Sequence, residues 1–405
     1  MPLIVYVMGF GVFAMTTSEF MVAGMLPELS SGLGVSVSAI GYLVSAYAIA
    51  MALGGPVIAA LLVRMSGRKA LLLLFTAFLA GQVLGAVSLG YPMLVVSRLI
   101  TGGAEAAFFG VGLTVVMDAV APKLAGRASS VVFGGLMLSS VLGAPLATYL
   151  AQVAGWRGAF WAVAGLVFLA GAAVLATAPR SAEKDTGTTD LRTELAAFRN
   201  RDLWAVYGTS LLHIGALFAA FSYFAAIFIE VTGFASTLVP VLLTAYGVTA
   251  VIGNLIAGRL ADRFPLGVML VGLVLLTVLL TGFALGAGHV AVVLVAVLGL
   301  GLVGLPLNSA TIARRMRVAA NTPLINTVGA SMVNVGIALG PLLGGLALST
   351  GYSLTAPLWI GVAMAALGVL SLLPYLTRTA TNPAKIIDSP EIPRSSVNDC
   401  SVSTI

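Results

Sequence analysis

The chain has 405 residues, of which 60% are hydrophobic and only 8% are charged, and its formal net charge is +6. A soluble globular domain carries about 25% charged residues, so this composition excludes one and indicates repeated membrane crossing. The positive charge is spread over short loops, which favours contact with anionic lipid headgroups over nucleic-acid binding. The single cysteine, Cys400, lies in a polar tail, so we expect no disulfide framework and no cysteine metal site.

Twelve hydrophobic runs follow one another along the chain. Each is long enough to cross about 30 Å of hydrocarbon as an α-helix. We number them spans 1 to 12, at residues 3–27, 38–62, 70–89, 91–117, 128–150, 158–178, 203–229, 236–258, 266–287, 289–312, 322–348 and 353–376. The predicted fold class is therefore an all-α membrane protein with twelve transmembrane helices.

The basic residues predict how these spans are oriented. All of the twenty Lys and Arg residues except Arg98 and Arg157 lie in every second gap between spans or in the tail. Basic loops stay on the cytoplasmic side of a membrane. The pattern therefore predicts that both termini are cytoplasmic.

An internal repeat divides the chain into two pseudo-symmetric halves. Gly143-Ala144-Pro145 in span 5 recurs as Gly340-Pro341 in span 11. A duplicated membrane protein of this kind places its site between the halves, near the bilayer midplane. The predicted organisation is an N-terminal six-helix bundle at 1–178, a cytoplasmic linker at 179–202, a C-terminal six-helix bundle at 203–377 and a disordered cytoplasmic tail at 378–405.

Three charged residues fall inside spans, where a charge is costly and therefore marks a candidate site. Glu19 in span 1 and Arg98 in span 4 lie at similar depths, about 12 and 10 Å from the same membrane face. Glu105 is two helical turns beyond Arg98 on the same face of span 4. A fixed ion pair that only holds helices together would account for one carboxylate and leave the other unexplained.

The alternative is that Glu19, Arg98 and Glu105 form a proton-coupling group. A medium of low dielectric favours the neutral carboxyl group, whereas a nearby arginine favours the charged carboxylate. Rearranging the helices or admitting a substrate can switch that balance. Glu19 and Glu105 are therefore suited to binding and releasing protons.

Further residues near the midplane are candidates for lining a substrate cavity. Phe109 continues the stripe of Arg98 and Glu105 on span 4. His213 in span 7 either bonds a neighbouring helix or contacts substrate. Asn308 has interhelical hydrogen bonding as its default interpretation. The predicted cavity residues are Glu105, Phe109, His213, Phe221 and Asn308, with Phe221 the span 7 aromatic that we expect to face inward.

Several enzyme mechanisms leave no trace in the sequence. The phosphate loop of ATPases, the HExxH zinc helix and the nucleophile elbow of hydrolases are all missing. Only two histidines occur, so histidine-based metal or triad chemistry has few possible parts. We expect neither an enzyme nor a metal site.

At this point the motifs resemble the major facilitator superfamily, and within it the twelve-helix drug:proton antiporters. RLITG at 98–102 resembles that family's R-x-x-x-G motif, which implies a role for Arg98 in proton coupling. GAP at 143–145 resembles the motif that bends helix 5 of exporters, which implies conformational roles for Gly143 and Pro145. TSEFM at 17–21, followed by Leu26-Pro27, resembles actinobacterial chloramphenicol-resistance exporters and arabinose or purine efflux permeases.

The loop after span 2 departs from the family pattern GxxxDRxGRK. Its glycine and basic residues fit, but Arg64 occupies the acidic position. The second half keeps the acid, as Asp262 followed by Arg263. If this acid latches the cytoplasmic side, the latch is asymmetric and rests either on Asp262 or on Arg68 with Asp118.

The resemblance implies a proton-coupled exporter in a bacterial inner membrane, driven by the proton gradient without a cofactor. Its expected partners are a small-molecule substrate, protons and membrane lipids, with no nucleic acid, and we expect a monomer. A mostly apolar cavity with aromatic walls suits a neutral, partly aromatic compound such as chloramphenicol. An efflux permease for a sugar or nucleoside is the runner-up. The third class, a channel, sensor or intramembrane enzyme, is disfavoured by the buried charges and the repeat.

Overall fold

The computed structural model describes residues 1–62, 65–121, 124–178, 198–319 and 322–381. Within these ranges every regular element is a helix. Arg64, most of the predicted linker at 179–202 and the predicted tail beyond Thr381 lie outside the described residues. The division into bundles, linker and tail therefore stays a prediction.

The helices of the first half follow the predicted spans closely. Spans 1 to 4 are the helices Leu3–Gly24, Val37–Leu62, Gly67–Ala86 and Tyr91–Ala119, and a short helix, Leu26–Leu33, follows span 1. Spans 5 and 6 share one continuous stretch made of Ala125–Leu138, the π-helix Ser139–Gly143 and Ala144–Thr177.

The second half contains two interrupted spans. Span 7 comprises Arg201–Phe221, Phe224–Ala226 and the π-helix Ile227–Val231, and span 10 comprises Val290–Val303 and Leu307–Val318. The other spans are Val239–Arg263 after a 3-10 turn at Ser236–Leu238, Pro265–Gly286, Pro323–Ser349 and Ala356–Thr381. Pro306, which has no backbone N–H, accompanies the interruption of span 10.

Eleven helical stretches of the described chain are long and apolar enough to cross a membrane. The stretch Ala125–Thr177 has 53 residues, or about 80 Å of helix, more than twice the hydrocarbon thickness. It bends at Gly155, whose φ of 72° is readily adopted only by glycine. This stretch therefore contains two crossings, and the predicted twelve-span all-α fold is confirmed.

The two halves repeat the same close packing between their first and fifth spans. In the first half, a Cβ atom added to Gly135 of span 5 would collide with the backbone of Gly9 in span 1. In the second half, a Cβ atom on Gly336 of span 11 would lie 2.6 Å from the Leu211 carbonyl oxygen in span 7. Small residues allow backbones to approach closely in lipid. Both contacts join the first and fifth spans of a half, which agrees with the sequence repeat.

Span 1 begins at what we call the N-terminal face of the membrane domain, and ends at the opposite, distal face. Hydrogen bonds join the halves at the distal face and in the middle. Gln152 Nε2 donates to the Ser236 carbonyl oxygen at 2.8 Å, near the distal face. Span 2 meets span 11 where Ser45 Oγ donates to the Ala338 carbonyl oxygen at 2.8 Å. The distal face is therefore closed by direct contact between the halves.

Candidate functional site

A buried polar network lies inside the first half, where spans 1 to 4 meet. Arg98 is fully buried, and its Nη1 and Nη2 donate to the Ser18 hydroxyl and carbonyl oxygens, each at 2.9 Å. The Arg98 guanidinium carbon also lies 3.9 Å from the centroid of the Tyr47 ring. The Ser18 hydroxyl donates in turn to Gln82 Oε1 at 2.9 Å. Arg98 is thus bound by a hydroxyl, a carbonyl group and an aromatic ring.

Glu105 is the acidic member of this network. Its side chain is 4% exposed. Thr16 Oγ1 donates to Glu105 Oε1 at 3.0 Å, and the Tyr47 hydroxyl donates to Glu105 Oε2. Tyr47 therefore contacts both charged groups of span 4, since its hydroxyl binds Glu105 while its ring carries the Arg98 guanidinium.

Glu19 follows Ser18 on span 1 and is only partly buried. Its carboxylate lies within electrostatic range of both Glu105 and Arg98. In the part of the chain that the structure describes, Arg98 contacts Ser18 and Tyr47 and forms no direct ion pair with either carboxylate. The three charges predicted to act together therefore share one region, and their role in proton coupling stays a prediction.

Sequence reasoning missed the uncharged members of this network. Gln82 is an amide in the middle of the apolar span 3, so its polarity alone could have identified it. Thr16 and Ser18 belong to a short polar run, Thr16 to Glu19, inside an otherwise hydrophobic span. Tyr47 gives no such signal, because an aromatic residue in a membrane span is ordinary and only the packing shows where its hydroxyl lies.

A small cavity of about 10 Å³, room for about one water molecule, lies between the halves at mid-depth. Phe20 of span 1 meets two aromatic rings of span 7 across it, with centroid distances of 6.3 Å to Phe218 and 5.9 Å to Phe221. These rings touch, so the cavity is narrow. Its full lining is Phe20, Ser140, Ala144, Phe218, Phe221, Leu243, Tyr246 and Leu305.

One face of span 1 leads from the N-terminal face of the membrane domain towards this cavity. Tyr6, Phe10, Phe13, Thr17 and Phe20 follow the helical repeat and share that face. Tyr6 is 53% exposed, Phe10 and Phe13 are partly exposed, and Phe20 is buried at the cavity. The exposed fraction thus falls along the stripe, and span 1 connects the N-terminal face with the cavity.

The predicted cavity residues are not all brought together. Phe221 lines the cavity, whereas Glu105 belongs to the network of the first half. Phe109 packs on Phe133 of span 5, with a centroid distance of 5.4 Å. Asn308 lies beyond the interruption of span 10 and is partly exposed.

His213 is fully buried within the second half. Its Nε2 lies 2.7 Å from the carbonyl oxygen of Gly304. That oxygen lies at the end of the first helix of span 10, where carbonyl groups have no partner within the helix. The geometry matches the interhelical alternative for His213, because Nε2 joins span 7 to the interrupted span 10.

The helix-bending motif of span 5 lies against span 1. Gly143 ends the π-helix Ser139–Gly143, and a Cβ atom there would collide with the Thr17 side chain. Pro145 is buried two residues beyond the π-helix, where its missing backbone N–H removes one hydrogen bond of the continuous stretch. Irregular helix and small residues therefore occur where span 5 touches the face of span 1 that carries Phe20.

The predicted latch residues lie at the N-terminal face. Arg68 donates to the Leu175 carbonyl oxygen at 2.6 Å, within the first half. The backbone carbonyl oxygens of Asp262 and Arg263 accept from Arg317 Nη2 at 2.8 and 3.1 Å, within the second half. Asp118 is exposed at the end of span 4. A latch role for these residues stays a prediction.

The fold and the site define a multi-pass membrane transporter. The sequence model of the Major Facilitator Superfamily matches residues 8–243 and 230–400, and the chain belongs to this family. The chain is 34% identical over 384 residues to the chloramphenicol resistance protein of Streptomyces lividans, which covers 94% of this chain and 98% of that protein.

Other comparisons agree with this assignment. The chain is 31% identical to the inner membrane transport protein YdhP of Escherichia coli (strain K12), over 89% of this chain and 92% of that protein. It is 28% identical to the putative transporter AraJ of the same strain, over 87% of this chain and 89% of that protein. A crystal structure of the nucleoside transporter NupG superposes with a TM-score of 0.71 at 13% identity, covering 93% of this chain and 98% of that one, and shows the shared fold.

Proposed function

We propose that this chain is a proton-coupled exporter of small, largely neutral amphipathic compounds, such as chloramphenicol-like antibiotics. One observation carries the proposal: three consecutive residues of span 1 serve two sites. Ser18 binds Arg98, Glu19 lies near the charges of Arg98 and Glu105, and Phe20 lines the cavity. A change of charge in the network therefore acts on the same helical turn that closes the cavity.

The proton site is the group of Glu19, Glu105 and Arg98. A proton arriving on either carboxyl group removes one negative charge from this water-poor region, where charges interact strongly. Arg98 then loses its attraction towards whichever carboxyl group, Glu105 or Glu19, has taken the proton. The helices adjust, and the contact of Phe20 with span 7 changes with them.

Tyr47 links this group to the contact between the halves. It lies on span 2 between Ser45 and Ala52, and both of these residues hydrogen-bond to span 11. Ser45 donates to the Ala338 carbonyl oxygen at 2.8 Å, and Ser331 donates to the Ala52 carbonyl oxygen at 3.1 Å. A shift of the Tyr47 hydroxyl away from Glu105 would therefore move span 2 where it contacts span 11.

The closed distal face supports an inward-facing resting state, given the prediction that the N-terminal face is cytoplasmic. Substrate would then enter along the exposed face of span 1, past Tyr6, Phe10 and Phe13. Protons would enter after the halves part on the distal side. Exchange of the two between opposite faces constitutes antiport driven by the proton gradient, with no cofactor.

The lining of the cavity supports a neutral aromatic substrate. Six of its eight residues are apolar, and only Ser140 and Tyr246 present hydroxyl groups. A sugar needs many hydrogen-bond partners when it leaves water, so this lining disfavours the runner-up, a sugar or nucleoside permease. The relative named for chloramphenicol resistance supports the same choice.

Transport in everted membrane vesicles tests the proposal. Vesicles with the chain should accumulate labelled chloramphenicol when an acid interior is imposed, and should lose it when the gradient is collapsed. Vesicles carrying Glu105→Gln, at equal protein level, should not accumulate it. Accumulation that does not depend on the pH gradient would contradict proton coupling. No accumulation by the wild type would exclude chloramphenicol as a substrate.

A further inference from the structure

Tyr246 of span 8 is one of the two hydroxyl-bearing residues that line the central cavity, and its hydroxyl has no hydrogen-bond partner in the described chain. The side chain is 2% exposed. Its ring packs on Phe221 with a centroid distance of 5.2 Å and on Phe224 at 6.0 Å. A phenylalanine would make the same ring contacts, so packing does not explain the hydroxyl group.

Each of the other buried tyrosines of the described chain uses its hydroxyl group as a donor. The Tyr47 hydroxyl donates to Glu105. The Tyr207 and Tyr223 hydroxyls donate to backbone carbonyl oxygens at 2.7 and 2.8 Å, respectively. A buried hydroxyl without a partner is costly, and more so in a membrane interior where water is scarce. Tyr246 therefore carries a donor whose partner is absent from the chain itself.

The backbone around Tyr246 is fixed from two sides. A Cβ atom on Gly301 of span 10 would lie 2.5 Å from the Tyr246 carbonyl oxygen. A Cβ atom on the following residue, Gly247, would lie 2.7 Å from the Cα atom of Val141 in span 5. The unbonded hydroxyl thus belongs to a residue held at the junction of the two halves, where a ligand would contact both.

Ser140 supplies the complementary group from the first half. Its hydroxyl proton is directed to the Met137 carbonyl oxygen at 2.8 Å, so towards the cavity Ser140 Oγ can only accept. The cavity therefore presents one donor from span 8 and one acceptor from span 5, between aromatic rings. A planar aromatic molecule with a hydrogen-bond acceptor and a hydroxyl or amide donor matches these two groups once the halves part far enough to admit it.

We propose that Tyr246 donates the hydrogen bond that selects the substrate, and that Ser140 accepts one from the opposite side of the same molecule. This assignment rests on the proposed function, since it names the chemistry of the exporter's own cavity. It makes Tyr246 a specificity-determining residue that separates acceptor-bearing aromatics from purely apolar ones. It also explains how one ligand would bridge the halves.

Equilibrium binding of labelled chloramphenicol to the purified full-length protein in lipid nanodiscs, without a pH gradient, tests this assignment. Tyr246→Phe should weaken binding about tenfold, the effect of one buried hydrogen bond. Its thermal stability should not fall, because no bond within the protein is lost. The matched control, Tyr223→Phe, should do the reverse: it loses its bond to Pro341, so its stability should fall while its affinity is kept.

The outcomes separate this assignment from the exporter proposal. Two results would overturn the role of the hydroxyl: unchanged affinity in Tyr246→Phe, or a loss of stability as large as that of Tyr223→Phe. Neither result would contradict the proposal that the protein is an exporter. No binding by the wild type would overturn the assignment together with the substrate class. A third outcome is that the wild type binds the drug and Tyr246→Phe weakens this binding, but no gradient-driven transport is seen. That outcome would support the role of Tyr246 and contradict the proposal of an exporter.

Discussion

The hydroxyl of Tyr47 in span 2 donates to the carboxylate of Glu105 in span 4, while the ring of the same tyrosine lies 3.9 Å from the Arg98 guanidinium. One side chain thus contacts the buried acid and the buried base. Because span 2 also packs on span 11 of the other half, Tyr47 connects the charged group with the contact between halves.

The first prediction concerns the Tyr47 hydroxyl. Tyr47→Phe keeps the ring over Arg98 but removes the donor to Glu105, so the protein should still reach the membrane and bind substrate. Gradient-driven transport in everted vesicles should fall about tenfold in maximal rate, with little change in KM. Tyr91→Phe is the control, because the Tyr91 hydroxyl also joins spans 4 and 2, through the Ala39 carbonyl oxygen at 2.8 Å. An equal loss of transport rate in both variants would indicate that the Tyr47 hydroxyl only supports packing between the spans.

A second prediction concerns the geometry around Arg98. Its two N–H groups bind two oxygens of Ser18, which a lysine ammonium group cannot reproduce in the same plane. Arg98→Lys should therefore keep the charge yet lose most transport. Arg98→Ala leaves buried acids uncompensated and should destabilise the protein by about 3 kcal/mol. Thermal unfolding and vesicle transport measure the two effects, and full activity in Arg98→Lys would contradict the planar role.

The third prediction is a pH dependence at the distal face. Glu28 lies on the short helix after span 1, and burial raises its pKa above the ordinary value of 4.5, opposed by its own backbone N–H and by Gln152. A carboxyl group with a raised pKa holds its proton more tightly in the folded state. Its contribution to stability is therefore full below pH 4.5 and falls as pH rises through the raised pKa.

Glu28→Gln should consequently raise the unfolding temperature at neutral pH and flatten its dependence on pH. Glu230→Gln is the control, because Glu230 is exposed near the distal end of span 7. Differential scanning fluorimetry from about pH 4 to pH 8 would measure both variants. Identical pH profiles for wild type and Glu28→Gln would show that Glu28 does not titrate differently on folding.

The fourth prediction concerns orientation, which follows from the basic loops. Leu89, between spans 3 and 4, is 92% exposed, and Gly126, at the start of span 5, is also exposed. In a Cys400→Ser background, Leu89→Cys should react with an impermeant thiol reagent in intact cells. Gly126→Cys should react only after the cells are opened. The opposite labelling pattern would show that the protein has the reverse orientation in the membrane.

The spans could be predicted from the sequence because lipid demands long apolar helices whose backbone bonds are internal. Hydropathy predicts span 4 at 91–117, and the helix is Tyr91–Ala119. The continuous helix through spans 5 and 6 was not foreseen, because a bend at one glycine leaves helix on both sides. Hydropathy does not predict the interruption of span 10 either. The interruption depends on the local sequence from Gly304 to Pro306, which is as apolar as the helices around it.

The candidate site was only partly visible in the sequence. Intramembrane charge identified Arg98 and Glu105, since few such residues occur. Hydropathy could not say which aromatics of span 7 face the cavity. Phe218 and Phe221 line it, while Phe224 and Phe228 pack on Phe283 of span 9. Such a choice depends on the rotation of the helix, which neighbouring helices set.

The central claim is that substrate and protons exchange at coupled sites, and proton release measures this most directly. Chloramphenicol added to the purified protein in weakly buffered detergent solution should acidify the solution, as reported by a pH dye. Glu19→Gln and Glu105→Gln should each bind the drug but release fewer protons, because one titrating group is gone. Saturable binding by the wild type without any proton release, over a range of starting pH values, would contradict proton-coupled export.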